Sequence, residues 1–247
     1  MDALQTTNKL LNLLDADESA LFAPLLKRVE LPLRTVLYEA GGGIEHIHFL
    51  ESGLGSVVAV SGDTEIEVAH FGCEAMTGLQ VLGGVKTSSH KVLIQIAGNG
   101  LRIPRESFLD VLHECPTARD LFLRYKECFA VQVEQTALAN GKFNIEQRLA
   151  RWLLMGQDRV GGVHVNITHE FLALMLGVRR AGVTTALHIL EGDHLIRSSR
   201  GTVEIRNREG LIKVAGASYG ASEAAYAALV SSRQARAVTA ELAPMIQ

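Results

Sequence analysis

One glycine, Gly177, divides the stretch 167–190 into two short helical patterns, and no other feature constrains the fold of this chain as tightly. Ahead of it, Thr168 is a side chain suited to accept a hydrogen bond from the first turn of a helix. Leu172, Met175 and Leu176 then recur at helical spacing over two turns. Gly177 permits the positive φ of an abrupt turn, and Val178 anchors that turn. Beyond it, Val183, Leu187 and Leu190 repeat the spacing, and Ala173 is small where a second helix would cross closely. The pattern predicts two helices joined by a sharp turn. It leaves Arg179, Arg180, Thr184, Thr185 and His188 on the outer face of the second helix, where such side chains donate to phosphates and base edges. Leu195-Ile196-Arg197, a turn at 198–201 and Val203-Glu204-Ile205 predict a β-hairpin wing with Arg200 at its tip. Thr168, Arg179, Arg180, Thr184, Thr185, His188 and Arg200 are the DNA-binding candidates. Gly182 interrupts the second helix at a cost of roughly 1 kcal/mol relative to alanine, and a close approach to DNA or to a neighbouring helix is the one account the sequence offers.

Charge is distributed unevenly around this motif. The chain carries a net charge of −3, yet between 148 and 213 there are ten Lys and Arg against six Asp and Glu, while the remainder has fourteen against twenty-one. One basic end on an acidic chain suits contact with a polyanion.

Upstream, Leu10, Leu11, Leu13 and Leu14, then Leu21, Phe22, Leu25 and Leu26, predict short helices. From 30 to about 104 the texture is different: short apolar runs such as 56–60 and 92–96 alternate with glycine turns at 41–43, 61–63 and 98–100. That is the signature of an antiparallel barrel or sandwich. A helical stretch at 117–140 without Gly or Pro follows, stopped by Asn140-Gly141, and its length suggests pairing with a second copy of itself. Asn144 is placed to cap a further helix ending at Gly161-Gly162. From 215 to 247 there are eleven alanines in 33 residues and few large apolar side chains. The expected organisation is a sensor domain at 1–116, a dimerisation helix at 117–141, a DNA-binding domain at 142–215 and, at 216–247, a mobile tail with at most one marginal helix.

This order of parts resembles the Crp/Fnr family over about residues 10–215, most closely between 167 and 196. There the leading Ile167-Thr168, Gly177, Arg180, Val183, Leu190-Glu191 and Leu195-Ile196 fit the family motif without a gap. The resemblance implies an α+β chain: an N-terminal antiparallel, jelly-roll-like β-roll, a long dimerisation helix and a C-terminal winged helix-turn-helix. It further implies a homodimer on a near-palindromic double-stranded DNA site, contact with RNA polymerase and a cytoplasmic setting. Arg180 falls where the family has a base-reading arginine. Ala181 and Thr185 stand where many members have glutamate and arginine, so the target sequence is expected to differ.

The sensor half departs further. Cyclic-nucleotide binders of the family carry a Gly-Glu pair and, later, Arg-Ser or Arg-Thr. Here Glu74 is one place late after Gly72-Cys73, and Ser88-Ser89 has no arginine before it, so a buried phosphate lacks its cation. Gly72, Cys73, Glu74, Ser88 and Ser89 remain the ligand-binding candidates, and cyclic nucleotide is not the expected ligand. Three scattered cysteines, Cys73, Cys115 and Cys128, are too few for a four-cysteine iron–sulfur cluster and show no disulfide framework. His46, His48, His70 and His90 are available for haem, and His46 and His48 share a strand face, yet ordinary roles are expected and no metal or cofactor is assigned. No apolar run reaches the ~18–20 residues that span a bilayer. The absence of Walker A, GxGxxG, GxSxG and HExxH patterns argues against an enzyme. A cyclic-nucleotide sensing module without DNA binding is the alternative, and the basic winged segment argues against it.

Overall fold

The computed structural model describes residues 4–242. Helix α1 (Ala16–Phe22) is held by a capping box in which Asp15 and Glu18 satisfy each other's main-chain N–H groups. Seven strands follow: β1 (Lys27–Leu31), β2 (Val36–Tyr38), β3 (His46–Leu50), β4 (Leu54–Ser61), β5 (Thr64–Phe71), β6 (Lys91–Ile96) and β7 (Gly98–Pro104). They form two antiparallel sheets, ordered β1-β7-β3 and β2-β6-β4-β5. Side chains of both sheets share one core with α2 (Arg105–Glu114) and the long helix α3 (Pro116–Lys142), in which Phe22, Phe49, Phe108 and Phe122 stack at centroid separations of 5.4–6.4 Å. This is the β-roll and long helix expected from the alternation of apolar runs and glycine turns.

Helix α3 begins on Pro116, whose fixed φ and missing N–H suit the first helical position. It runs through Asn140 and Gly141, two residues past the stop expected there, and ends at Lys142. Its limit is set instead by Asn144, which forms a capping box with Gln147 at the start of α4 (Ile145–Val160). A second core lies around α4, α5 (His169–Leu176), α6 (Arg180–Gly192), the strands β8 (His164–Val165), β9 (Ile196–Ser199) and β10 (Thr202–Ile205), and α7 (Arg208–Ala215). Leu54 of β4 belongs to this second core, so the two halves meet over the β4–β5 sheet.

The expectation of a mobile tail at 216–247 is corrected for the residues described. Gly216–Ser218 is a 3-10 turn, and Ala221–Leu242 is a 22-residue helix, α8, lying along α3. Alanine has the highest helix propensity and its small side chain lets two helices approach closely. The sparse large residues are the ones that dock: Leu229 is buried, and the rings of Tyr125 and Tyr226 meet edge to face at 6.4 Å. The thiol of Cys128 lies 3.4 Å from the carbonyl oxygen of Ala225, and Arg233 is paired to Glu18 and donates to the carbonyl of Leu13 at 2.9 Å. Residues 243–247, the end of the expected tail, lie outside the described residues.

Candidate nucleic-acid interface

Thr168 caps α5: its hydroxyl oxygen accepts from the main-chain N of Phe171 at 3.3 Å. Gly177 ends the helix at φ +57°, a conformation that L side chains avoid. A second constraint holds the same position. A Cβ on Gly177 would stand 2.8 Å from Cδ1 of Ile66 on β5. The turn is therefore glycine both for its own geometry and because the β-roll rests against it.

Helix α6 buries Val183, Ala186, Leu187 and Leu190 and exposes Arg179, Arg180, Ala181, Thr185 and His188. Arg179 and Arg180 stand side by side at its N-terminus, in a position to approach a phosphate or base edge together. Thr184 is half-buried. Its hydroxyl donates to the carbonyl of Arg180 at 3.2 Å and lies 3.2 Å from Nδ1 of His169. Sequence periodicity grouped Thr184 with the outer face and passed over His169; the helix N-cap at Thr168, one residue earlier, was the only signal for its placement. Gly182 lies where α6 approaches α4, with an added Cβ 3.4 Å from Cδ1 of Ile145. That is tight but not prohibitive contact. Arg200 is exposed at the tip of the β9–β10 hairpin, whose turn has Gly201 at φ +76°.

The local excess of basic residues proves to be of two kinds. Arg179, Arg180, Arg197, Arg200, Arg206 and Lys213 are exposed. Arg148, Arg151, Arg159 and Arg208 are turned inward as braces. Arg148 reaches the carbonyl of Leu176 at the end of α5, and Arg151 donates to Ser218 O at 2.8 Å and Thr136 Oγ1 at 3.2 Å. Arg208 pairs with Asp158 at 2.7 Å and donates to Tyr219 Oη.

The five ligand candidates of the sensor do not converge. A Cβ on Gly72 would stand 2.7 Å from the Cβ of Arg159, so this glycine admits α4, not a phosphate. Glu74 pairs with Arg159 at 2.8 Å, and the Cys73 thiol lies 3.5 Å from the carbonyl of Arg159. Ser88 is buried and bonded to the carbonyl of His90 at 2.7 Å. Ser89 faces a cavity of about 570 Å³ between the β-roll and α3, whose walls include Met76, Thr77, His90, Lys126, Phe129 and Val133, and Glu74 lines a separate, smaller one. Lys91 is paired to Glu65 at 3.1 Å, outside that cavity. His46 and His48 sit on β3 with ring centroids 6.3 Å apart, and burial among other positive groups pushes His48 down to about 4. No helix among the described residues is long and apolar enough to cross a membrane.

The two halves of the molecule are joined by buried polar contacts. One oxygen of Glu67 on β5 accepts from Trp152 Nε1 of α4 at 2.8 Å and lies 3.3 Å from Nδ1 of His70. The other accepts from the hydroxyl of Ser56 and from Gln95 Nε2 at 3.2 Å. Arg34 lies over the ring of Phe171 on α5, its guanidinium carbon 5.7 Å from the centroid.

Comparison with known proteins agrees with this geometry. Residues 147–214 match the family described as the Crp-like helix-turn-helix domain. No curated protein matches the chain. Among solved structures, the chain is similar to the c-di-GMP-responsive global regulator CLP of Xanthomonas campestris (18% identity, TM-score 0.62, covering 77% of this chain and 99% of that one). It is also similar to FixK2 of Bradyrhizobium japonicum (15%, TM-score 0.69, 78% and 98%). A CRP-family transcriptional regulator of Thermus thermophilus is a third (23%, TM-score 0.63, 79% and 99%). Nearly the whole of each relative is matched while about a fifth of this chain is left over. The chain thus has the fold of the Crp/Fnr-type transcription regulators and carries a Crp-like helix-turn-helix DNA-binding domain.

Proposed function

We propose that this chain regulates transcription as a cytoplasmic homodimer that reads a near-palindromic double-stranded DNA site and contacts RNA polymerase. The observation that carries the reading is the exposed row Arg179, Arg180, Thr185 and His188 on α6, flanked by Thr168 at the start of α5 and Arg200 at the hairpin tip. Thr184 takes part through the turn it ties to His169. The two-fold axis runs along the face of α3 that α8 leaves open, where Leu123, Ala130, Val133 and Ala137 lie half-buried or exposed and Leu138 is 46% exposed. A dimer of this kind places its half-sites about one helical turn, ~34 Å, apart. An effector enters the cavity between the β-roll and α3, because Ala130 and Val133 line both that cavity and the dimer face. The apolar walls and the single lysine wall group favour a largely apolar effector over a phosphate.

The experiment is selection of bound sites from a random double-stranded pool, followed by anisotropy titration of wild type and Arg180→Ala. The variant loses about 1–3 kcal/mol at one base pair of each half-site, and affinity falls steeply with salt. Affinity indifferent to both Arg180→Ala and ionic strength would overturn the proposal.

A further inference from the structure

A second cavity, about 290 Å³, lies where the sensor, α3, α4 and α8 meet, away from the α6 surface and on the other side of Phe129 from the larger cavity. Four polar atoms on its lining residues are buried without a hydrogen-bond partner: Oε2 of Glu74, Oε1 of Glu223, the hydroxyl of Tyr226 and Nε of Arg159. The neighbouring charges are spoken for. Asp158 is held by Arg208 and by Tyr219 Oη at 2.6 Å. Arg159 lies 2.8 Å from Oε1 of Glu74, in an ion pair whose Nε–H does not point along the contact. Glu223 spends its other oxygen on the main-chain N of Gly220 at 3.0 Å.

Two carboxylate oxygens and a phenol are thus left without donors in the walls of one half-open cavity, beside the rings of Tyr125 and Phe129. A buried acceptor without a donor is costly, and more so when it belongs to a carboxylate. With Asp158 committed to Arg208 and Glu74 to Arg159, Glu223 is the lining carboxylate left without an ion pair among the described residues. Aromatic faces attract cations as well.

We propose that this cavity binds a small organic cation bearing several N–H donors, an amine or guanidinium, seated between Glu74, Glu223 and Tyr226. Its residues come from four parts of the molecule, so the bound cation ties α8 to the sensor and to the DNA-binding domain. Burial pushes the phenol of Tyr226 up, which keeps its hydroxyl proton in place beside the ligand. The site stands apart from the reading of α6 and does not depend on it.

Isothermal titration of the full chain with agmatine, putrescine and spermidine tests this, with tetramethylammonium as a cation lacking N–H groups and glutamate as an anion. At least one N–H cation binds saturably at one per chain, and tetramethylammonium binds about tenfold more weakly or not at all. Glu223→Gln, whose amide oxygen still caps Gly220, weakens that binding about tenfold or more. Tyr226→Phe removes only the unpartnered hydroxyl, leaves the fold intact by circular dichroism and weakens binding severalfold. The proposal fails if no N–H cation binds saturably up to about 10 mM. It also fails if tetramethylammonium binds equally well, if both variants bind within twofold of wild type, or if glutamate binds while the cations do not.

Discussion

Replacing Glu67 with alanine tests how the sensor and the DNA-binding domain are held together. Four groups surround its carboxylate: the Ser56 hydroxyl, Gln95 Nε2, Trp152 Nε1 and His70 Nδ1. All five residues are buried. Ser56 can turn its hydroxyl elsewhere, but the indole and amide donors are fixed by their rings and chains. Leaving those donors unpaired costs about 1–3 kcal/mol each, and the cavity left by the side chain adds to it. The expected loss is about 3–5 kcal/mol. Glu67→Gln costs less, because Oε1 of Gln95 has no partner and can accept from the new amide once the Gln95 side chain flips. The assay is built into the chain. Trp152 is its single tryptophan and stands at this junction, so its emission reports docking directly. Urea titrations followed at Trp152 should show the wild type most stable, Glu67→Gln intermediate and Glu67→Ala least stable, with a red-shifted native emission for Glu67→Ala. A loss below about 0.5 kcal/mol with unchanged emission would refute the claim that Glu67 couples the two halves.

Two glycines of the DNA-binding domain should respond to alanine with opposite signs. Gly177→Ala, at positive φ and against Ile66, destabilises by about 1–3 kcal/mol, whereas Gly182→Ala, inside α6 with only Ile145 nearby, is neutral or stabilising by up to about 1 kcal/mol, both read from thermal or urea midpoints. Leu138→Asp, on the open face of α3, should shift the chain from dimer to monomer in sedimentation and weaken DNA binding without lowering the thermal midpoint. Acid should weaken the β-roll through His48. Its folded-state value is depressed to about 4 while the unfolded chain titrates near 6.5, so the unfolded state takes up the proton first. Stability is full above about pH 6.5 and falls by ~2 kcal/mol by pH 5; His70, also depressed chiefly by burial, adds in the same direction, and His48→Gln should flatten the pH profile.

Local chemistry was legible in the sequence to the residue. The caps at Asn144 and Thr168, the positive-φ turn at Gly177 and the hairpin tip at Arg200–Gly201 all follow from contacts made within a few positions along the chain. Where two local signals competed, the reading slipped. Asn140-Gly141 reads as a helix stop, yet a solvent-facing glycine costs only about 1 kcal/mol, and the packing of α3 on the β-roll outweighs it. The tail failed for the complementary reason. An alanine-rich segment shows almost no hydrophobic stripe, so its docking depends on a groove that exists only after α3 and the sensor have assembled.

The site divides in the same way. Which residues face outward on α6 is a matter of 3.6-residue periodicity, and Arg179, Arg180, Thr185 and His188 emerge from it directly. Which charges are free is a matter of tertiary partners hundreds of atoms away along the chain. Arg148, Arg151, Arg159 and Arg208 count toward a basic segment in any sequence tally, but each is committed to a carbonyl or carboxylate elsewhere in the fold. The same long-range pairing occupies the loop where cyclic-nucleotide binders hold phosphate: α4 approaches Gly72 closely, and Glu74 is the counter-ion of Arg159. A phosphate at that position would have to displace a buried ion pair and leave Glu74 unpaired, which costs more than one binding contact returns.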